Sequence, residues 1–405
     1  MFQESQYNDE QNIVADFSIQ LAKEYDERYF LKETKQQRAP SAFWQQLSEG
    51  GYLGIIVDES YGGVGLKTED LGVFIYHMAK QGLASFQLIN QIVCGDIISQ
   101  FGSAQQRDQQ LPGIIKGDFW CYADLEHAQG RSLFDIAARA EKKADHFILQ
   151  GNKNFAVCAR DSSQLIVAAR TSPYQQAHPQ QGISLFCLDA NSEGIEYSTE
   201  HLNVRLVNER EDMAATGDLF NNIRFEQVKV PSENLIGTLD QGAELIKHIA
   251  SRKMLLMALV TLGWGDRLLD KTVTYANQRV IFKDSISSYQ AVQHPMVLAK
   301  TDLEMAKLLT ERAAQAFDQE TSSDELVTLC GVAKRGATEA AFAVCDIAMQ
   351  THGGAGYDRD TGIISLWPLV SMSRLFPLNN DVILEDFAEQ VIGLPVSGQA
   401  SELLA

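Results

Sequence analysis

The chain has 405 residues, of which 45% are hydrophobic, and its formal net charge is -19. A chain of this length and composition can bury a large core and form two or three packed units, and its negative charge argues against a nucleic-acid or anionic-membrane partner. No apolar run reaches the roughly 18 to 20 residues of a membrane span, and the polar start is unlike a signal peptide, so we expect a cytoplasmic protein. The spacing of histidines and cysteines matches no metal site.

Residues 1–117 are predicted to form an N-terminal helical domain. Apolar residues recur at three- and four-residue spacing over Gln11–Phe30 and again over Asp70–Lys80. Between these two segments, the glycine pair Gly62-Gly63 follows a short apolar run, and a tight turn with positive φ is enough to explain it.

Residues 118–237 are predicted to form a middle β domain, either a barrel or a sandwich. Short runs typical of strands occur in this region: His146–Leu149, Asn154–Cys158, Gln164–Ala169, Ile183–Leu188 and Ile223–Val230. The residues Gln150-Gly151-Asn152 are typical of a turn, and we expect them to separate the first two of these strands.

Residues 238–405 are predicted to form a C-terminal four-helix bundle. One helix is expected over Gly242–Gln278, with a length of about 55 Å at 1.5 Å per residue. Further helices are expected over Ala291–Asp318, Asp324–Gln350 and Val382–Ile392. Helices this long and apolar require neighbours that cover one face, so the fold class is α+β with a β domain between two helical regions.

Motifs spread over most of the chain carry a family resemblance. Leu53–Gly65 contains Leu-Gly, then Glu-Ser-Tyr-Gly-Gly, and Val228–Gly237 reads Val-Lys-Val-Pro-Ser-Glu-Asn-Leu-Ile-Gly. Arg279–Gln293 and the Gln-Thr-His-Gly-Gly of Gln350–Gly354 follow at suitable separations. Together these segments resemble the acyl-CoA dehydrogenase family, whose members bind FAD and remove an α-proton and a β-hydride from an acyl thioester.

The resemblance implies a set of FAD-binding residues. Cys121–Ser132 is similar to the family's flavin-contacting loop, although Leu125 stands where the family has a threonine. Phe155 keeps an aromatic cover for the flavin, whereas Val157 replaces a second threonine. The implied cofactor-binding residues are Tyr122, Asp124, Leu125, Arg131, Ser132, Phe155, Val157, Arg279, Phe282, Gln290, Gln350, Gly353 and Gly354. In the family, the Arg279 and Gln290 positions reach the FAD of a neighbouring subunit.

The usual catalytic base is missing. Counting six residues from Arg374, the family's glutamate position falls on Asn380, and an amide cannot accept the α-proton. An alternative family position falls near Lys253, which is not a carboxylate either. Asp381 is therefore the candidate base, while capping of the helix that follows is the competing explanation for this residue.

Three functions remain open on these grounds. The first is a divergent dehydrogenase acting on a thioester of coenzyme A or of an acyl carrier protein. The second is a flavin-dependent monooxygenase or oxidase on the same scaffold, and the third is a catalytically silent flavoprotein. The resemblance further implies a homodimer or homotetramer and an electron-transfer flavoprotein as acceptor.

Overall fold

The computed structural model describes residues 7–36, 40–126, 132–175, 178–198, 220–319 and 321–395. The helices are α1 (Asp9–Glu24), α2 (Glu27–Lys35), α3 (Ser41–Glu49), α4 (Thr68–Gln81), α5 (Phe86–Phe101), α6 (Ala104–Ile115), α7 (Gly242–Gln278), α8 (Gln290–Phe317), α9 (Ser323–His352), α10 (Ile363–Ser373) and α11 (Asn380–Phe387). The strands are β1 (Trp120–Ala123), β2 (Arg139–Lys142), β3 (His146–Val157), β4 (Gln164–Arg170), β5 (Ile183–Asp189), β6 (Ile195–Ser198), β7 (Phe220–Pro231), β8 (Leu235–Ile236), β9 (Val280–Ile281) and β10 (Asp284–Ser285).

The expected order of helical, β and helical regions is confirmed, but the barrel that was one of the two expected forms of the middle domain is wrong, because the strands do not close on themselves. Strands β1 to β8 form one open mixed sheet in the order β6-β7-β3-β2-β4-β5-β8, and β1 adds to it by pairing in parallel with β4. The alternation of buried and exposed residues along β7 shows that one face of this strand packs against the core while the other faces solvent.

The predicted turn at Gln150–Asn152 is also wrong, because β3 runs through it as one strand of twelve residues. Its pairing with β7 shifts register between Leu149 and Gly151 and again between Lys153 and Ala156. A Cβ atom on Gly151 would lie 2.7 Å from the Ala138 Cα, so the first irregularity lets β3 approach its neighbour closely. Turn-like residues here mark β-bulges.

The predicted helix Gly242–Gln278 is confirmed with the same bounds, as α7. The helices predicted near residues 291–318 and 324–350 are confirmed as α8 and α9 with slightly different ends. The one predicted over Gln11–Phe30 is interrupted at Tyr25, where the backbone is extended. The last predicted helix begins at Asn380 and continues after Phe387 as a π-helical turn over Ala388–Ile392.

The N-terminal helices pack directly on the C-terminal helices. A Cβ on Gly263 of α7 would lie 2.5 Å from the Tyr76 carbonyl oxygen of α4, so glycine permits this close approach. The buried Asp96 of α5 accepts hydrogen bonds from His248 (2.7 Å) and Arg252 (2.9 Å) of α7. One hydrophobic core therefore extends through the sheet and both sets of helices. Over the described ranges, no helix is both long enough and apolar enough to cross a membrane.

Candidate active site

A cavity of about 350 Å³ lies where the sheet, α7 and the α10–α11 loop meet. Its walls are mostly apolar, with a few polar groups pointing inward, which is the usual composition of a small-molecule site. The sheet side contributes Tyr122, Asp124, Leu125, Glu126, Ser132, Leu133, Ile136, Phe155 and Ala168; the helical side contributes Ile246, Ile249, Ala250, Lys253, Met254, Leu375, Pro377, Leu378, Asn379 and Val382.

An ion pair joins the two walls of this cavity. Lys253 of α7 donates a short hydrogen bond to the Asp124 Oδ2 of the segment after β1. The Lys253 side chain is 6% exposed, and its ammonium lies 5.4 Å from the ring centre of Tyr122 and 4.7 Å from that of Phe376. The two aromatic faces attract the ammonium, so the cation is held by one carboxylate and two rings.

A second ion pair lies beneath the same segment. The fully buried Lys153 of β3 lies 2.6 Å from the Glu126 Oε1, and the Glu126 Oε2 accepts a hydrogen bond of 2.8 Å from the Ala137 amide. Burial lowers the pKa of Lys153 because the ammonium loses its hydration, while Glu126 opposes this effect. Removing either partner would leave a buried charge, so this pair holds the shape of the segment from Asp124 to Glu126.

Phe155 presents its ring to the cavity from an irregular part of β3. Its φ is +53°, a value that non-glycine residues rarely adopt, and it lies inside the second bulge of the strand. The neighbouring Asn154 amide donates to the Leu125 carbonyl at 2.7 Å, which ties the bulge to the segment after β1. Phe155 is 41% exposed, so its aromatic side chain is accessible from the cavity.

Asn380, on which the family's glutamate position falls when counted from Arg374, does not line the cavity. This residue is buried, and its Nδ2 donates to the Thr338 Oγ1 (3.0 Å) and the Glu339 Oε1 (2.8 Å) of α9. Its Oδ1 accepts a hydrogen bond of 2.7 Å from Lys334. All its hydrogen-bonding groups are thus engaged inside the helical layer, and the neighbouring Asn379 lines the cavity in its place.

Lys334 also holds the α10–α11 loop. Its Nζ donates to the carbonyls of Arg374 (3.0 Å) and Leu378 (2.7 Å), in addition to Asn380. Burial lowers the pKa of Lys334 to about 7, with a further lowering from Arg374 and an opposing effect from Glu339. Because one side chain binds two carbonyl oxygens of this loop and the first residue of α11, the loop's cavity-lining residues depend on it for their position.

Asp381 lies at the exposed first turn of α11 and is not among the cavity-lining residues. Its amide donates to the Asn379 Oδ1 at 2.9 Å, so Asn379 is the N-cap of this helix. The competing explanation, in which Asp381 is itself the cap, is wrong by two residues. A catalytic role for Asp381 stays a prediction.

The remaining predicted cofactor residues form two groups. Tyr122, Asp124, Leu125, Ser132 and Phe155 come together at the cavity, while the buried Val157 lies next to it on β3 without lining it. Arg131 lies outside the described residues.

The second group lies at the opposite end of α7 and is exposed. Arg279 caps the C-terminus of α7, Phe282 is 93% exposed in the β9–β10 hairpin, and Gln290 starts α8. Tyr275 stacks on His352 with 4.3 Å between ring centres, which brings the end of α9 to the end of α7. The exposed Gln350 and the two glycines Gly353 and Gly354 are therefore near Arg279; Gly353 ends α9 with φ +56°. Apart from the adjacent residues in the chain, no described residue lies within 4 Å of a Cβ placed on either glycine.

The sequence interpretation missed the buried Lys153 and Lys334. Lys334 shares the stripe of Val327, Cys330, Ala337 and Ala341, which are all buried on α9. A lysine at helical spacing among apolar residues indicates that it is buried, and this pattern is visible in the sequence. The hydrogen-bond partners of such a lysine are not visible there. No group of three or more metal-ligating side chains was found among the described residues.

Comparison with known proteins identifies the family. Residues 8–118 match the acyl-CoA dehydrogenase N-terminal domain, and residues 240–392 match the acyl-CoA dehydrogenase C-terminal domain, together well over half of the chain. The acyl-CoA dehydrogenase FadE12 of Mycobacterium tuberculosis is 24% identical over 377 residues, which cover 92% of this chain and 93% of the relative.

Two solved structures share the fold. The FAD complex of PigA has a TM-score of 0.86 and 23% identity, covering 96% of this chain and 99% of its own. The prolyl acyl carrier protein oxidase AnaB has a TM-score of 0.85 and 21% identity, covering 96% of this chain and 100% of its own. With two domain matches in the order that the fold requires, this chain belongs to the acyl-CoA dehydrogenase family.

Proposed function

We propose that the protein is an FAD-dependent oxidoreductase that introduces a double bond between the α and β carbons of an acyl thioester. The observation that carries the proposal is the apolar cavity between the sheet and α7, which holds an exposed aromatic ring and one ion pair. Apolar walls suit an acyl chain, and family membership supplies the reaction class.

The residues at the cavity fit a flavin. Phe155 offers an exposed aromatic face, and such a face binds a planar ring system by stacking. Leu125 and Val157 lack side-chain hydrogen-bond donors, so polar contacts to the ring at these positions have to come from backbone groups. When bound, FAD would accept the β-hydrogen of the substrate as a hydride. The FAD complex of the related fold in PigA supports this assignment.

We infer that each FAD site is shared between two chains. Lys253 of α7 lies at the cavity and Arg279 follows the end of the same helix, and their separation in sequence corresponds to about 39 Å along the helix axis. A dinucleotide cannot span this length. The group around Arg279, whose guanidinium suits a pyrophosphate, therefore serves the FAD bound at the cavity of a second chain, as a homodimer or homotetramer allows.

An exposed apolar face supports such an assembly. Val297, Leu298, Met305 and Leu308 of α8 are each more than half exposed, although they lie within one helix of the bundle. A cluster of this kind on a folded protein marks a surface that another protein covers. An electron-transfer flavoprotein remains the proposed acceptor of the electrons, and a cytoplasmic location remains a prediction.

Anaerobic titration tests the reaction. The FAD-loaded protein is mixed with acyl-CoA and acyl-carrier-protein thioesters of several chain lengths, and the flavin absorbance is followed. We expect bleaching by at least one thioester, and the more effective carrier identifies the substrate class. The name of the relative FadE12 points to coenzyme A, whereas that of AnaB points to a carrier protein. A flavin that no thioester bleaches would contradict the proposal.

Mixing two variants tests the shared site. Phe155→Ala damages the cavity group, and Arg279→Ala damages the distant group, so each variant alone is expected to bind FAD weakly. A hybrid dimer contains one site with both groups intact, and random exchange should restore about a quarter of the sites. If each site lay within one chain, mixing would restore none.

A second candidate is an oxygen-using flavin enzyme on the same scaffold. The observation that favours it is the pair Asn379 and Asn380, which places amides where a dehydrogenase of this family has its carboxylate. Stopped-flow mixing of the reduced protein with oxygen separates the two functions, because an oxidase or monooxygenase reoxidises rapidly and a dehydrogenase that uses a protein acceptor does so slowly.

A further inference from the structure

Among the described residues, two carboxylates line the cavity, those of Asp124 and Glu126. Glu126 is already bound on both oxygens, by Lys153 at 2.6 Å and by the amides of Ala137 at 2.8 Å and Ala138 at 3.3 Å. Its side chain is only 7% exposed. A carboxylate held this way has no free lone pair directed at a substrate, so Glu126 is a structural group.

Asp124 is different because one of its oxygens is available. Lys253 binds the Oδ2 atom, while the Oδ1 atom has no partner in the described part of the chain. The Asp124 side chain is 27% exposed, and it borders the same space as the Phe155 ring. Asp124 therefore has an available acceptor atom, is accessible from the cavity and lies close to the Phe155 ring.

Other candidates for a base do not reach this space. Asn379 and Asn380 carry amides, and Asn380 faces α9. Asp381 is exposed on the outer side of the α11 start, and its side chain does not border the cavity. Glu339 is bound to Arg374 at 3.0 Å and to Asn380 at 2.8 Å, outside the cavity.

We propose that Asp124 is the general base of this site and that Lys253 is the positioning residue that holds its carboxylate. The inference rests on the proposed function and replaces the cofactor-contact role that the family resemblance implies for Asp124. The Asp124 Oδ1 takes the α-proton, so the α C–H bond breaks and an O–H bond forms. When bound, FAD would be the oxidant that accepts the β-hydrogen with its electron pair, and the pair left on the α carbon would become the new double bond.

Lys253 makes this arrangement possible. A carboxylate at the boundary between sheet and bundle loses part of its hydration, and a neighbouring ammonium compensates for that loss. Because Lys253 is itself held between the rings of Tyr122 and Phe376, it keeps Asp124 in one orientation. In this assignment the base lies on the segment after β1 and its ion-pair partner on α7, whereas the family resemblance implies a base after the α10–α11 loop.

The test measures proton removal without oxidation. An acyl thioester with sulfur in the β position has no β-hydrogen, so only the first half of the reaction can occur, and α-deuterium incorporation from D₂O is followed by NMR. The FAD-loaded parent protein is compared with Asp124→Asn, Asp381→Asn and the control Asp108→Asn, which changes an exposed carboxylate on α6. Thermal unfolding and FAD content confirm that each variant is folded and loaded.

We expect Asp124→Asn to slow the exchange by at least about 100-fold, because positioned general bases contribute on this scale. Asp381→Asn and Asp108→Asn should leave it within about threefold of the parent. Lys253→Met should lose most of the α-proton exchange, and Lys253→Arg should keep part of it, because arginine retains the cation. If Lys253 were purely structural, the two variants would lose the same fraction of the exchange rate.

Two outcomes overturn the assignment. If Asp124→Asn exchanges like the parent, or if the loss appears at Asp381→Asn instead, Asp124 is not the base, while bleaching of the parent by ordinary thioesters leaves the proposed function standing. If the parent protein neither bleaches with any thioester nor exchanges an α-proton, the proposed function and this assignment both fail.

Discussion

Replacing Asp386 with asparagine is expected to stabilise the protein at neutral pH. This residue of α11 is only 4% exposed, and its Oδ1 atom has no hydrogen-bond partner within the ranges that the structure describes. Burial raises the pKa of Asp386 from 3.8 to about 6, and the charges of Glu389 and Asp324 add to the effect. The ionised carboxylate is therefore disfavoured in the folded protein, whereas asparagine has nearly the same shape and no charge.

The size of the gain follows from linkage between protonation and folding. The folded pKa lies above the unfolded value, so folding favours the protonated group, and stability is lost as the pH rises from about 4 through about 6. A shift of about two pKa units corresponds to about 3 kcal/mol when the group is fully ionised. Partial solvent screening of this carboxylate reduces that upper limit, and we expect about 1–2 kcal/mol for Asp386→Asn at pH 8.

Urea unfolding, followed by circular dichroism at pH 8 and pH 4, measures this effect. We expect a higher midpoint for Asp386→Asn at pH 8 and nearly equal midpoints at pH 4, where the parent carboxyl is protonated. Asp346→Asn, at an exposed position of α9, is the control and should show no such difference. Equal gains at both pH values would refute the electrostatic explanation, and no gain at pH 8 would refute the reasoning altogether.

Three further substitutions test other parts of the structure. Phe155→Ala should weaken FAD binding about tenfold through loss of stacking, as measured by calorimetry on the FAD-free protein. The melting temperature should not change, because the ring is partly exposed. Equal FAD affinity in the variant and the parent would show that Phe155 does not stack on the flavin. Asn380→Asp should not raise the rate of flavin reduction in stopped-flow, because its side chain faces Lys334 and Glu339 rather than the cavity, and a tenfold gain would contradict this geometry. Lys334→Met should lower the free energy of unfolding, measured in urea, by about 2 kcal/mol, because the Leu378 carbonyl and two other acceptors lose their donor. Unchanged stability would show that these hydrogen bonds do not hold the α10–α11 loop.

The helical parts of the fold were predictable because their signal is local. The apolar pattern of α7 repeats over 37 residues, so both ends could be located from spacing and composition. The sheet was less predictable. Gln150–Asn152 reads as a turn because its residues favour turns, but pairing with β7 keeps these residues in one strand and absorbs the irregularity as bulges.

The candidate site was partly predictable for the same reason. Phe155 and Asp124 lie in motifs that family resemblance can identify, and counting from Arg374 predicts that Asn380 takes the position of the family's glutamate. The roles of these residues were not visible. Whether Asn380 faces the cavity or the α9 helix depends on the packing of α11, and the structure turns it toward Lys334, 46 residues away in the chain.

From its sequence alone, this chain could be assigned an order of helical, β and helical regions and a family, and counting from Arg374 predicted an asparagine at the usual glutamate position. Tertiary structure alone brought Asp124 to Lys253, which are 129 residues apart. The physical reason is that hydrophobic periodicity sets which face of each element is buried, whereas the partner of a buried charge is set by how the sheet and α7 pack against each other. The ion pair that carries our assignment of the base exists only at that contact.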